Sequence, residues 1–283
     1  MYKSVEIKSN AKINLFLDIV NKREDGYHNI KSIMQEIELH DKVKICENKS
    51  KVNIICDNYN IPLDENNTCY KATKLIKEKY TIDNGVDIFI DKIIPTEAGL
   101  AGGSSNAAAV IKGLNKLWNL NMSLEDMKDI GVKVGADVPF CLTGGTCLCE
   151  GVGDKITELN NFVWDNIVII KPDFSISTPL AYKNITSKEY NYYKNNDILF
   201  YIEKKDYYNT CISIANTLEI AALKIQPQIS DIKKDMINTG AISSLMTGSG
   251  SSVYGFYEDS ISANKAVNQL RNKYSKVFIT KTV

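Results

Sequence analysis

The sequence predicts an α+β protein, and three observations carry that reading. Residues 11–20 alternate strictly, with Ile13, Leu15, Leu17 and Ile19 on one face of a strand. A glycine-rich segment, 95–103, runs straight into a helical repeat, and that helix is followed by a second helix. Residues 242–282 read strand, glycine loop, strand, helix, strand.

The elements follow in order. Opposite the apolar face of 11–20 lie Lys12, Asn14 and Asp18, with Phe16 the one apolar exception. Residues 21–26 (NKREDG) have turn chemistry. Strands are expected at 30–39, 42–47 and 52–56, then a loop over 58–67. Ala72, Leu75 and Ile76 place a helix over 68–79, and 86–90 alternates again. After the glycine-rich segment, Ala107, Ala108, Ile111, Leu114, Leu117 and Trp118 fall at helical spacing. Ser123 with Asp126 forms a capping box that opens a helix built on Leu124, Met127, Ile130 and Val134. A strand is expected at 143–150. The polar stretch 158–162 marks a boundary, giving domains 1–158 and 159–283. A strand at 164–170 and a tyrosine-rich region over 182–208 follow, and 184–208 reads as a surface insertion. Helices are expected at 209–223 and 227–238, the second closed by Gly240. There is no internal repeat.

Composition narrows the class. A chain of 283 residues with 44% hydrophobic content builds a substantial core. Thirty-four basic residues balance 34 acidic ones, so the excess that wraps nucleic acid is missing. No apolar run approaches the ~18 residues that span a bilayer, and the first ten residues, with Lys3, Glu6 and Lys8, do not resemble a signal peptide. A cytoplasmic protein without membrane or nucleic-acid partners is expected. The seven cysteines are odd in number and scattered, which points to free thiols. Cys147 and Cys149 form a C-x-C pair, but the chain has only His28 and His40 to complete a metal site. Buried small hydrophobes are the expected role.

The segment Pro95-Thr-Glu-Ala-Gly-Leu-Ala-Gly-Gly-Ser-Ser-Asn106 carries the most chemistry. Glycines let backbone amides approach an anion. The first turn of the helix that follows leaves its N–H groups unpaired, with positive partial charge. A polyphosphate placed there gains several charge-assisted hydrogen bonds. The segment lacks the Lys-Ser/Thr that follows the last glycine of a Walker A loop, and its glycine spacing is not G-x-G-x-x-G.

With Pro95, Gly99-Leu-Ala-Gly-Gly-Ser-Ser-Asn-Ala-Ala108 resembles the second motif of the GHMP kinases, small-molecule kinases that include galactokinase, homoserine kinase and mevalonate kinase. Ala98 and Ala101 stand where relatives often carry glycine, a departure that matters only if those positions need left-handed backbone. Ala11-Lys-Ile-Asn-Leu-Phe-Leu17 resembles the first motif of that family, and Met246-Thr-Gly-Ser-Gly-Ser-Ser-Val253 the third. Together they cover nearly the whole chain.

The resemblance implies a two-domain fold: an N-terminal ribosomal-protein-S5-domain-2-like α/β domain, a C-terminal ferredoxin-like α+β domain, and an active site in the cleft between them. Asp25-Gly-Tyr-His28, Gly135-Ala-Asp-Val-Pro139 and Glu150-Gly-Val-Gly-Asp154 resemble one branch of the family. That branch uses ATP to phosphorylate the 2-hydroxyl of a methylerythritol unit bearing a cytidine diphosphate, in the non-mevalonate isoprenoid pathway. Rival readings are another GHMP kinase acting on mevalonate or homoserine, and a non-catalytic nucleotide sensor on the same scaffold.

The residue roles implied by the resemblance are these. Asp137 is the base and Lys12 its cationic partner. ATP is held by Pro95, Gly99, Leu100, Ala101, Gly102, Gly103, Ser104, Ser105 and Asn106, with Asn67 and Lys92 near the adenine. Thr247, Gly248, Ser249 and Gly250 border the phosphate site. Tyr27 and Tyr182 stack on cytosine and His28 reads its edge. Asn14 touches the substrate's phosphate or hydroxyls, and Thr178 the methylerythritol region. Magnesium accompanies ATP; its protein ligands are unknown, with Ser105 the candidate. A monomer or weak homodimer is expected.

Overall fold

Alternation over 11–20 becomes part of one long strand, β1 (Ser4–Lys22), followed by β2 (His28–Asn48). The computed structural model describes residues 3–57 and 61–283, so 58–60 of the expected loop lie outside the described residues. Then come β3 (Val52–Ile55), α1 (Thr68–Tyr80), β4 (Gly85–Asp91), α2 (Gly102–Leu117), α3 (Leu124–Val134), α4 (Val138–Thr143), β5 (Thr146–Gly151), β6 (Lys155–Glu158) and β7 (Ile167–Ile170). The chain continues with α5 (Thr178–Lys183), a 3₁₀ turn (Ser187–Glu189), α6 (Ile198–Glu203), α7 (Tyr207–Ile212), β8 (Ala215–Asn216), α8 (Thr217–Ile225) and α9 (Gln228–Asn238). It ends with β9 (Ser243–Met246), β10 (Val253–Phe256), α10 (Ser260–Leu270) and β11 (Val277–Thr280).

Packing divides the chain into two units, Met1–Ala11 with Leu39–Thr96 and Ala101–Gly144, and Lys12–Glu38 with Glu97–Leu100 and Gly145–Val283. This is not the linear division at 158, because β1 and β2 each lend one end to one unit and the other end to its neighbour.

In the first unit, β4 pairs antiparallel with the end of β2, Lys42 opposite Asp91, and parallel with β3. Helices α1 and α2 lay Ala72, Ile76, Ala108, Ile111 and Leu114 on Val43, Ile45, Val86 and Ile88. Each buried Leu or Ile contributes about 1.5–3 kcal/mol relative to exposure. The capping box of α3 is present in both directions, Ser123 and Asp126 each accepting from the other's backbone.

In the second unit, β5 pairs antiparallel with the start of β2, and β8 runs parallel to β1 at Phe16 and Leu17. A separate four-stranded antiparallel sheet has the order β11-β7-β10-β9. Its core joins Leu17, Ile19, Val168, Ile170, Leu218, Ile229, Met236 and Val267. Gly240, at φ +98°, closes α9 as expected.

Four details differ from the sequence reading. The two strands expected at 30–39 and 42–47 are one strand, since Asp41 between them is fully buried and accepts from the Ile93 amide. The helix expected over 209–223 is interrupted, because the Asn216 side chain caps α8 by accepting from the Leu218 amide. Helix α4, behind Asp137 and Pro139, was too short for a periodic signal. Lys12, Asn14 and Asp18 face no solvent: β1 is buried on both faces, and they are 3%, 0% and 4% exposed.

All seven cysteines are free thiols, with Cys147 and Cys149 fully buried. Burial raises the Cys69 thiol to about 12 and holds Cys211 well above its ordinary value. Among the described residues, no helix is long and apolar enough to cross a membrane.

Candidate active site

A buried ammonium organises the second unit. Lys12 Nζ donates to Asn14 Oδ1 at 2.6 Å and to the Gly99 carbonyl at 2.9 Å. Strand alternation puts Lys12 and Asn14 on one face, so the amide oxygen sits beside the charge. Asn14 is itself fixed. Its Nδ2 donates to Ser32 Oγ at 2.8 Å, and its backbone amide to Thr247 Oγ1 at 3.1 Å. The Asn14 side chain, expected to reach the substrate, holds Lys12 in this structure.

Thr247 also donates to the Gly99 carbonyl, at 3.2 Å. Gly99 has φ +73°, and a Cβ there would lie 2.1 Å from the Thr247 carbonyl oxygen. Only glycine allows that approach. Lys12 of the first motif, Gly99 of the second and Thr247 of the third thus share one hydrogen-bonded cluster. The Lys12 amide adds a bond to the Leu100 carbonyl, 3.2 Å, and the Ser252 amide one to the Ala98 carbonyl, 3.2 Å. Thr178 Oγ1 meets Ser249 Oγ at 2.8 Å, which ties the start of α5 to the third loop.

The phosphate loop ends in Ala101, at φ 55° and ψ 26°. The left-handed position is therefore real at Ala101, whereas Ala98 is not among the positive-φ residues. No side chain caps α2, and no acidic residue stands in its first turn. The amides of Gly102, Gly103 and Ser104 begin a 16-residue helix with its positive end uncompensated. Gly102 is closely packed, since a Cβ would meet Lys92 Nζ at 2.9 Å and Ile94 Cγ2 at 3.0 Å.

Asp137 occupies the N-cap position of α4, yet its side chain makes no capping bond. Its segment lies beside α2: a Cβ built on Gly135 would be 3.8 Å from Ser104 Oγ.

Several expected ATP contacts are turned into the fold. Ser105 Oγ donates to the Asn10 carbonyl at 2.6 Å and accepts from Ser9, so it does not fit a magnesium ligand. Asn106 Oδ1 accepts from Ser9 Oγ at 2.7 Å. Lys92 pairs with buried Asp41 at 2.7 Å and donates to the Ile94 carbonyl. Asn67 caps α1, accepting from Cys69 N and donating to the Pro62 carbonyl. Motif position located these residues, but not the direction of their side chains. Among the described residues, no group of three or more His, Cys, Asp or Glu could hold a metal ion.

Around the Gly-Tyr-His turn, Tyr182 stacks on the His28 imidazole, with centroids 5.3 Å apart at 27°. Tyr27 stays 69% exposed. Burial and the Lys22 charge hold His28 below its ordinary value, so it is neutral near pH 7.

Two family models match the chain: GHMP kinases N terminal domain over residues 67–145, and GHMP kinases C terminal over 202–276. The chain is 44% identical over 280 residues to the 4-diphosphocytidyl-2-C-methyl-D-erythritol kinase of Clostridium beijerinckii, across 99% of this chain and 100% of that one. The chain belongs to the GHMP kinases.

The same-named enzyme of Acetivibrio thermocellus is 43% identical over 282 residues, 99% of this kinase and 100% of that one. Among solved structures, a 4-(cytidine 5'-diphospho)-2C-methyl-D-erythritol kinase superposes with a TM-score of 0.81 at 27% identity, over 98% of this kinase and 99% of that chain. A homoserine kinase from Cytophaga hutchinsonii gives 0.80 at 18% identity, over 99% and 94%, a likeness of fold alone. The fold is thus the two-domain GHMP kinase fold.

Sequence reasoning missed the supports of this site in the kinase. Asn216 Nδ2 donates to the Met246 and Gly248 carbonyls, both at 2.8 Å, and braces the third glycine loop. Tyr254 Oη donates to the Asn14 carbonyl at 2.9 Å. Lys171 Nζ donates to the carbonyls of Pro172 and Phe174, and Ser251 Oγ to the Phe174 carbonyl as well. Asn216, Tyr254 and Lys171 lie in none of the three motifs; Ser251 lies in the third.

Proposed function

We propose that this kinase transfers the γ-phosphoryl group of ATP to the 2-hydroxyl of 4-diphosphocytidyl-2-C-methyl-D-erythritol, giving the 2-phosphate and ADP. The observation that carries the reading is Lys12, a buried ammonium held by Asn14 and by the Gly99 carbonyl of the phosphate loop, which Thr247 also bonds. The choice of alcohol rests on the full-length relatives named for that substrate.

Phosphoryl transfer asks for alignment, removal of one proton and stabilisation of charge on the moving group. The uncapped amides at the start of α2 suit the phosphate tail of ATP. Asp137, at the N-cap position of α4, takes the hydroxyl proton. Lys12 offsets the negative charge that grows as the alcohol attacks. Magnesium would enter with the nucleotide and supply positive charge to its phosphates, as no three-ligand group holds it among the described residues. His28, with Tyr182 on its face and Tyr27 nearby in sequence, receives the cytosine. Thr178 contacts the polyol, with Ser249 fixing its hydroxyl.

Comparison of turnover with diphosphocytidyl-methylerythritol, mevalonate and homoserine tests the reading. Efficient phosphorylation of the first alone is expected; equal or better use of either other alcohol would overturn it.

A further inference from the structure

The segment 184–208, which reads in sequence as a surface insertion, is strapped to β1. The Asn191 amide donates to the Ile19 carbonyl at 2.8 Å, and its Nδ2 to the Val20 carbonyl at 3.2 Å. The Tyr193 amide donates to Asp18 Oδ2 at 3.0 Å. Asp18 is 4% exposed, and its other oxygen accepts from Thr217 Oγ1 at 2.6 Å and from the Ile19 amide at 3.0 Å. The Tyr193 ring meets Phe16 edge-on at 6.5 Å. Upstream, Thr186 and Glu189 form a reciprocal cap, and Lys224 pairs with Glu189 at 3.1 Å. Between these anchors stands Tyr190. Its ring meets the His28 imidazole at 70°, with centroids 6.1 Å apart, while Tyr182 stacks on the same imidazole.

A stacked ring alone leaves the imidazole free to turn in its own plane. A second ring set edge-on removes that freedom. A group that reads a base edge must hold its nitrogen within a few tenths of an ångström, because hydrogen bonds weaken steeply with misalignment. Asp18 reaches this cluster only through the backbone of Tyr193.

We propose that Tyr190 is a specificity-determining residue that fixes the His28 imidazole for a pyrimidine ligand, and that Asp18 is its positioning residue, acting through the strap 190–193. The inference rests on the reading that His28 serves the cytidine end of the substrate.

Steady-state kinetics of Tyr190→Ala and Tyr190→Phe test the first half. Tyr190→Ala should raise KM for the cytidine substrate about ten-fold, the scale of one lost aromatic contact, with kcat and KM for ATP within about two-fold. Tyr190→Phe, which keeps the ring edge, should restore it. Asp18→Asn tests the second half: Oδ1 still serves Thr217, but an amide NH₂ now faces the Tyr193 N–H. The His28 imidazole resonances of the free protein should shift in that variant, although Asp18 does not touch His28. An unchanged KM in Tyr190→Ala, an equal rise in both KM values, or unmoved His28 resonances in Asp18→Asn would overturn the proposal. If the wild type fails to use the cytidine substrate, the functional reading falls instead, and the resonances still report whether the strap holds His28.

Discussion

Lys12 Nζ lies 2.9 Å from the carbonyl oxygen of Gly99, so a side chain in the first motif grips the backbone of the second. That bond spends one of three ammonium donors on the loop and a second on Asn14. The charge is thereby held in place before any ligand arrives, which is the preorganisation that charge stabilisation requires.

Removing the two groups given chemical roles should separate binding from turnover. Asp137→Asn should lower kcat by about 10²–10⁴-fold, the usual range for a general base, while ATP affinity changes little. Lys12→Met should lower kcat by about 10²–10³-fold, as for other charge-stabilising donors. Single-turnover kinetics with nucleotide titration distinguishes the cases. Unaltered turnover in Asp137→Asn would remove it from the mechanism.

Gly99→Ala puts a methyl group 2.1 Å from the Thr247 carbonyl, at a φ of +73°. The loop cannot accept it without moving, so a loss of about 3 kcal/mol or more is expected, with weakened nucleotide binding. Urea denaturation and nucleotide titration read both effects.

Asp41 accepts from Lys92 at 2.7 Å and from the Ile93 and Ile94 amides, both at 2.7 Å, with its side chain fully buried. Asp41→Ala strands a buried ammonium and two donors just before the phosphate loop. The expected cost is about 3–5 kcal/mol, from the general cost of breaking a buried pair. Lys92→Met combined with Asp41→Ala should recover part of it, and a double-mutant cycle by denaturation measures how much.

The depressed pKa of His28 has a definite sign in stability. The folded state binds the proton less readily than the unfolded chain, so the unfolded state gains protons first as the solution is acidified. Stability from neutral His28 is full above about 6.5, the ordinary value, and is lost as pH falls from there through the lower folded value. His28→Gln should flatten the stability profile on that acid side. An identical slope in the variant would assign it to other groups.

Motifs were legible where backbone chemistry dictates sequence. Gly99 answers to a steric demand that no other residue meets, and the glycine pattern located the loop. Of the two alanines that depart from the family pattern, the structure makes only Ala101 left-handed, a distinction the sequence did not draw. Side-chain direction was less legible. Asn67, Lys92 and Ser105 occupy motif positions, yet each is turned to a partner that pattern reading does not see: Cys69, Asp41 and Asn10. Asp18 and Tyr190 were silent because their meaning comes from partners far away in sequence: Asp18 from Tyr193, 175 residues on, and Tyr190 from His28. Alternation predicts which face of β1 a residue lies on, but not that both faces are covered.

The bond between the Asn14 amide and Thr247 spans 233 positions of chain. On the ribosome, the strand bearing Lys12 emerges early and must wait until almost all of the polypeptide has been made before its glycine-loop partner exists. The clasp of the first strand onto the third glycine loop is therefore among the last contacts synthesis makes available, and chains truncated before Thr247 cannot complete it.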